Sequence, residues 1–183
     1  DPMKNGGGPL AFDDGHHKFA TAWHFMGQAD EVHAWIGSTK RANGMFFDAQ
    51  GNLIACADEQ TELWSITPDG KHTVLAWEYE GKKLNAPNDV WVRLDGALYF
   101  TDPFYKREWW EHNKPPQGTE QVYFLSADRK TLKRVTTDLA QPNGIIGTPD
   151  GKTLFVADIK AGKTYAYDIQ SDGALASKRL HCE

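Results

Sequence analysis

Asn88-Asp89 stands directly after Pro87 and ahead of the apolar run Val90-Trp91-Val92, so an amide and a carboxylate sit side by side where a strand would begin. The layout occurs twice more: Asn43-Gly44 precedes Met45-Phe46-Phe47, and Asn143-Gly144, again after a proline (Pro142), precedes Ile145-Ile146. Asp58, Asp102 and Asp158 each close an apolar run. An Asn amide offers one acceptor oxygen and two N–H donors, and an ionised carboxylate accepts hydrogen bonds or a proton. On residue type alone, Asn143 reads as a turn residue bonding its own backbone. Four of the seven histidines (His16, His17, His24, His33) fall in one N-terminal stretch. No cysteine lies nearby and their spacing matches no zinc pattern, so they are expected to be solvated or core histidines rather than ligands.

The elements that must position these residues follow from a repeat. From each lead Asn to a turn Gly the offset is eight residues: Asn43 to Gly51, Asn88 to Gly96, Asn143 to Gly151. Each turn carries Asp and Gly, which suit tight turns because Asp bonds its own backbone and Gly accepts positive φ. A second strand follows in each copy (Leu53–Asp58, Leu98–Asp102, Leu154–Asp158), then a third (Glu62–Ile66, Gln121–Leu125, Lys163–Tyr167). Fourth strands are expected at Thr73–Ala76 and Leu132–Val135, with a weaker one near Leu175; Leu180–Glu183 resembles an outgoing fourth strand cut short. Four short strands per repeat joined by tight turns make the blade of a β-propeller, and three copies in one order favour that over a sandwich. The fold expected is therefore all-β, a partial propeller over residues 1–183. It has a degraded first blade at 1–42 and successive blades at 43–86, 87–141 and 142–183, about four in all. In the degraded part, Leu10-Ala11-Phe12 and Val32–Ile36 read as strands, while residues 16–26 suit either a strand or a short helix over Lys18–Met26. Asp58-Glu59 either points into a central channel or caps the turn before Thr61. The aromatic and charged insert Phe104–Gly118 is either a lid over a site or a loop packed on a neighbouring blade.

Composition narrows the function classes. A 183-residue chain that is 40% hydrophobic with seven Trp and nine Phe can bury a globular core. Net charge is −5 and no basic run exceeds three residues, which argues against a nucleic-acid partner. Apolar runs are too short to cross a bilayer, so no membrane partner is expected. No basic and apolar leader opens the chain, which puts a soluble, cytoplasmic setting ahead of a periplasmic or secreted one, although residue 1 is Asp rather than Met. Cys56 lies inside a strand and reads as a small buried hydrophobe; two cysteines, Cys56 and Cys182, leave a bridge open.

Lys82–Asp89, Tyr99–Pro103, Gln141–Gly144 and Pro149–Leu154 resemble the gluconolactonase group of the SMP-30/gluconolactonase/LRE-like family, over about residues 41–183. The resemblance implies a six-bladed propeller, of which this chain is a fragment. It implies a divalent cation in the central channel, commonly calcium, with zinc, magnesium or manganese as alternatives. It also implies lactonase (carboxylic ester hydrolase) activity on a small-molecule sugar lactone. By that resemblance Asn143 is a direct metal ligand. Asn88 and Asp89 lie over the metal and contact substrate, with Asn88 a second candidate ligand; the family's base is the later-blade Asp rather than Asp89, which is the candidate catalytic carboxylate within these residues. Oxygen donors suit a hard cation, which polarises a lactone carbonyl, and a neighbouring carboxylate can accept a proton from the attacking water. The sequence departs from the family pattern at three places. Ala86 stands where some members have a substrate-binding Arg, Gly7 stands where a ligating Glu is expected, and the later-blade Asp ligand lies beyond these residues. The chain alone is therefore expected to be impaired as a catalyst. The alternative is a non-catalytic propeller that binds a small molecule or a protein.

Overall fold

A computed structural model describes residues 38–183 in full and, within residues 1–37, the backbone of three strands. Those strands, β1 (Leu10–Asp13), β2 (Ala20–Phe25) and β3 (Val32–Ile36), form one antiparallel sheet in the order β1-β2-β3. The ambiguous stretch is thus a strand over Ala20–Phe25, where β2 pairs on both sides. His24 and His33 are register partners across β2 and β3, while His16, His17 and Gly7 lie outside the described residues.

Three four-stranded antiparallel sheets follow, each in sequence order. The first holds β4 (Ala42–Phe47), β5 (Leu53–Ala57), β6 (Glu62–Ile66) and β7 (His72–Ala76). A two-stranded hairpin, β8 (Glu78–Tyr79) and β9 (Lys82–Lys83), precedes the second, which holds β10 (Val90–Val92), β11 (Leu98–Asp102), β12 (Gln121–Leu125) and β13 (Leu132–Arg134). The third holds β14 (Pro142–Gly147), β15 (Thr153–Asp158), β16 (Lys163–Ile169) and β17 (Leu175–Cys182). The segment near Leu175 and the one from Leu180 are therefore a single strand; bulges in the β16–β17 pairing break its alternation and hide its length in the sequence. The turn glycines adopt the conformation their positions require, with φ of 81° at Gly51, 87° at Gly96 and 69° at Gly151.

The architecture is an all-β propeller with about four blades in this chain. The middle sheet shows why. Along β11, Leu98 and Phe100 pack with Ile54, Cys56 and Leu63 of the preceding sheet, whereas Tyr99 packs with Leu154, Val156 and Tyr167 of the following one. β10 divides in the same way, with Val90 and Val92 on one side and Trp91 on the other. Successive strand side chains point to opposite faces, so a sheet apolar at every position must be covered on both. β11 and β12 are buried at every residue, as a blade between two blades requires. β15 instead alternates, with Leu154, Val156 and Asp158 buried and the residues between them half-exposed.

β10, the first strand of its sheet, packs on both β4 and β14, the first strands of the neighbouring sheets. The sheets thus fan out from a shared centre lined by their first strands. Cys56 is buried and Cys182 exposed, and both are free thiols, so no bridge joins them. Burial pushes the Cys56 thiol pKa well up, which suits a packing residue rather than a nucleophile.

Candidate functional site

Asn43, Asn88 and Asn143 stand at or just ahead of the starts of the three inner strands, and the residues after them meet. The Gly44 N–H donates to the Asn88 carbonyl at 2.6 Å. On the other side of β10, the Ile145 N–H donates to Asp89 Oδ2 at 2.9 Å, while Asp89 Oδ1 accepts from Val90 N–H at 2.9 Å. Asp89 therefore lies between Gly44 and Gly144, its counterparts in the flanking repeats. A Cβ on Gly44 would stand 2.2 Å from Asp89 Oδ1, so the glycine is what admits the carboxylate.

Thr101 binds this cluster together. Its N–H donates to the Asp89 carbonyl at 3.0 Å, and its carbonyl accepts from Asn88 N–H at 2.9 Å. Its hydroxyl accepts from Asp89 N–H at 3.1 Å and donates to the Asn143 carbonyl at 2.6 Å. The backbones of the Asn88-Asp89 pair and of Asn143, far apart in sequence, are so brought to one place. Thr101 carries no mark of its role in the sequence beyond its position one residue before the strand-ending Asp102.

The strand-ending aspartates anchor the segments that lead into the inner strands. Asp102 accepts the N–H of Asn85 and of Ala86, both at 2.9 Å, and Asp158 accepts those of Ala140 at 2.8 Å and Gln141 at 2.9 Å. Asp58 differs. It opens a single 3₁₀ turn (Asp58–Gln60) without a side-chain capping bond, and its carboxylate pairs with Arg107 at 2.9 Å. The insert thus supplies the partner of the Asp58 carboxylate.

That insert joins β11 to β12 and packs on the blades at either side. Gln141 Nε2 donates to the Phe104 carbonyl at 3.2 Å on one side, and the Arg41 guanidinium lies 3.9 Å from the Trp109 ring centre on the other. Gln117 Nε2 reaches the carbonyls of Tyr79, Lys82 and Lys83 in the β8–β9 hairpin. Tyr105 accepts a hydrogen bond from Asn143 Nδ2 at 2.9 Å. The insert thus both packs on neighbouring blades and reaches the asparagine cluster.

Burial raises the Asp89 pKa above the usual carboxylate range, while the N–H bonds from Ile145 and Val90 pull it down. Burial pushes Asp102 up to about 7, opposed by the Asn85 and Ala86 N–H groups and reinforced by Glu120. Asp58 is also raised, by burial first, with Arg107 opposing.

A cation would find a partial set of donors here. With Nδ2 given to Tyr105, Asn143 keeps Oδ1 as an acceptor; Asn88, whose backbone is tied to Gly44 and Thr101, carries the other amide. Both Asp89 oxygens already accept backbone N–H bonds, and among the described residues no three His, Cys, Asp or Glu side chains group together. The residues present fit a hard cation as neutral oxygen donors, without imidazole or thiolate, and supply only part of a coordination sphere. A cavity of about 600 Å³ lies three residues along the inner strands from the asparagines, lined by Phe46, Trp91, Ile146 and Gly147. A cleft of about 670 Å³ lies between the insert and β9. Neither includes Asn88, Asp89 or Asn143. Among the described residues no helix is long and apolar enough to cross a membrane.

The family described as SMP-30/Gluconolactonase/LRE-like region matches residues 4–183. A gluconolactonase of Zymomonas mobilis is 28% identical over 158 residues, covering 84% of this chain and 44% of the relative. The solved structure of a gluconolactonase from Xanthomonas campestris superposes with a TM-score of 0.79 at 31% identity, covering 94% of this chain and 58% of that one. A solved putative gluconolactonase does so with the same TM-score of 0.79 at 29% identity, covering 98% and 60%. The chain therefore spans about half the length of the proteins it resembles.

Proposed function

The chain belongs to the SMP-30/gluconolactonase/LRE-like family, and from that premise we propose that it forms part of a sugar-lactone hydrolase whose site is the cluster of Asn88, Asp89 and Asn143. The observation that carries this reading is the convergence of those three residues on Thr101, on a fold that matches a gluconolactonase structure. Asn143 Oδ1 and the Asn88 amide are the donors offered to a divalent cation, calcium by the preference of hard cations for oxygen. When bound, such a cation would polarise the lactone carbonyl.

The chain's own residues do the rest. Asn88 and Asp89 border the place where the lactone ring would lie, and Asp89 is the candidate catalytic carboxylate. Its raised pKa makes it a better proton acceptor than an exposed aspartate when water attacks the carbonyl and the ring C–O bond breaks. Each of its oxygens keeps a lone pair beyond the N–H bond it accepts. The 183-residue chain is a weak catalyst by itself, since its described donors are neutral amides and affinity for calcium rises with ligand charge. The commitment of both Asp89 oxygens to backbone favours a second reading, a propeller that binds its ligand without turnover.

Acid release from glucono-δ-lactone, followed with calcium and with chelator, tests the proposal. Hydrolysis by the full-length protein that chelator abolishes is expected. Asn143→Ala should lose activity and regain part of it in excess calcium by mass action, whereas Asp89→Ala should not be rescued. Binding of the lactone with no acid released would favour the non-catalytic reading.

A further inference from the structure

An asparagine serves as an oxygen donor only if its amide is turned the right way. Oδ1 and Nδ2 are nearly isosteric, and an unrestrained amide presents either end. At Asn143 the Tyr105 hydroxyl accepts the Nδ2–H at 2.9 Å, a bond that restrains the amide and leaves Oδ1 as its free end. The Asn143 backbone is fixed independently, its carbonyl accepting from the Thr101 hydroxyl at 2.6 Å.

Tyr105 is itself held, although no regular secondary structure runs between β11 and β12. Arg107 lies over the Tyr105 ring at 5.5 Å and is tied to Asp58 of the preceding blade at 2.9 Å. On the other side, Phe104 is fixed by Gln141 through its carbonyl and by Glu120 through its N–H. Its ring stacks on Trp110, which stacks on His112, with centroids 5.8 and 5.1 Å apart. Lys106 closes the turn by donating to the carbonyls of Trp110 and His112. A side chain braced in this way from two blades can set the orientation of its partner, in the manner of outer-sphere groups that orient metal ligands.

We propose that Tyr105 is a positioning residue for the cluster: by accepting the Asn143 Nδ2–H it fixes the amide with Oδ1 as the end offered to a hard divalent cation. This rests on the reading of Asn143 as a cation donor. It adds a partner that acts from the insert rather than from an inner strand, and it gives the Arg107–Asp58 pair a purpose, as the brace of that partner.

Tyr105→Phe removes the hydroxyl and keeps the ring under Arg107. Calcium binding to the full-length protein, measured by calorimetry for wild type, Tyr105→Phe and Asn143→Ala, separates the possibilities. The expected result is about 10-fold weaker binding in Tyr105→Phe, a larger loss in Asn143→Ala, and an unchanged melting temperature of Tyr105→Phe in chelator. Lactone turnover by Tyr105→Phe should then return to the wild-type kcat in excess calcium. Unchanged calcium affinity in Tyr105→Phe beside a loss in Asn143→Ala would overturn the positioning role and leave the site in place. Unchanged affinity in both variants, or no calcium binding by the wild type, would remove Asn143 from the ligand set and the proposal with it.

Discussion

Two junctions flank β10, and they are built from different materials. Towards the preceding blade, backbone meets backbone: the Gly44 N–H donates to the Asn88 carbonyl at 2.6 Å, with no room for a side chain on the glycine. Towards the following blade, side chains intervene: Asp89 accepts from Ile145 N–H, and the Thr101 hydroxyl reaches the Asn143 carbonyl. The repeat register is the same on both sides, yet one junction is a close approach and the other a hydrogen-bonded bridge. The difference teaches that the repeat sets where the blades meet, while the residue after each lead Asn sets how. The bridged side is where Asn143 keeps an acceptor to spare.

The largest effect should come from closing the space at the first junction. In Gly44→Ala the new Cβ would lie 2.5 Å from the Asp89 Cα and 2.8 Å from the Asn88 carbonyl oxygen, so backbone must move rather than a side-chain tip. Overpacking costs about 1–3 kcal/mol and occasionally more, and a clash with backbone belongs at the upper end. The midpoint of urea unfolding should fall accordingly, and a wild-type midpoint would show that the two blades can separate freely.

Next comes the anchor that serves both junctions at once. Asp102 holds Asn85 and Ala86 in the segment leading to β10, and burial lifts its pKa to about 7. The unfolded chain has an ordinary Asp pKa of about 3.9, so between those values the folded state holds a proton that the unfolded chain releases. The stability linked to this group is therefore fully present below about pH 4 and is lost as pH rises through about 7. Asp102→Asn should flatten that slope, whatever its own offset in stability. Urea unfolding of both proteins across this range checks it, and parallel curves would mean that Asp102 is ionised in the fold at ordinary carboxylate pH.

The blade register was legible because it rests on local requirements. A tight turn after a short strand needs positive φ, and Gly51, Gly96 and Gly151 supply it at a fixed distance from Asn43, Asn88 and Asn143. The two-sided burial of the middle blade shows in continuous runs such as Leu98-Tyr99-Phe100. The roles of Gly44 and Gly144 were not legible, since each depends on the neighbouring blade that places Asp89 against it. Tyr105 and Arg107 escaped for a related reason: an irregular insert has no period, and their partners Asn143 and Asp58 come from two different blades. The β8–β9 hairpin was missed because its strands are two residues long and Lys82-Lys83 carries no apolar signal.

A smaller loss is expected from the bridge itself. Thr101→Val keeps shape and β-propensity but removes the hydroxyl that serves Asp89 N–H and the Asn143 carbonyl. Thr101 is fully buried, so both backbone groups lose a partner with little water to replace it. The expected cost is about 1–2 kcal/mol. If the bridge positions Asn143 as well as joining blades, calcium affinity should fall in the same variant; a loss of stability with intact affinity would confine Thr101 to joining.

The smallest effect should come from the glycine of the second junction. Gly144 occupies the same repeat position as Gly44, but a Cβ there would meet only the Ala157 Cβ and Asp89 Oδ2, each at 3.9 Å, which is ordinary contact. Its φ lies outside the positive range recorded for the turn glycines, so alanine brings no backbone strain. Replacing Gly by Ala at a compatible position also removes freedom from the unfolded chain, worth about 0.4–1 kcal/mol in favour of folding. Any crowding of the Asp89–Ile145 bond would act against that gain. Gly144→Ala should therefore unfold within about 0.5 kcal/mol of wild type, beside the large loss in Gly44→Ala. Both variants measured together by urea unfolding give the contrast directly. An equal loss in the two would mean that the second junction is as tightly closed as the first, and that Asp89 fills a gap no wider than the one at Gly44.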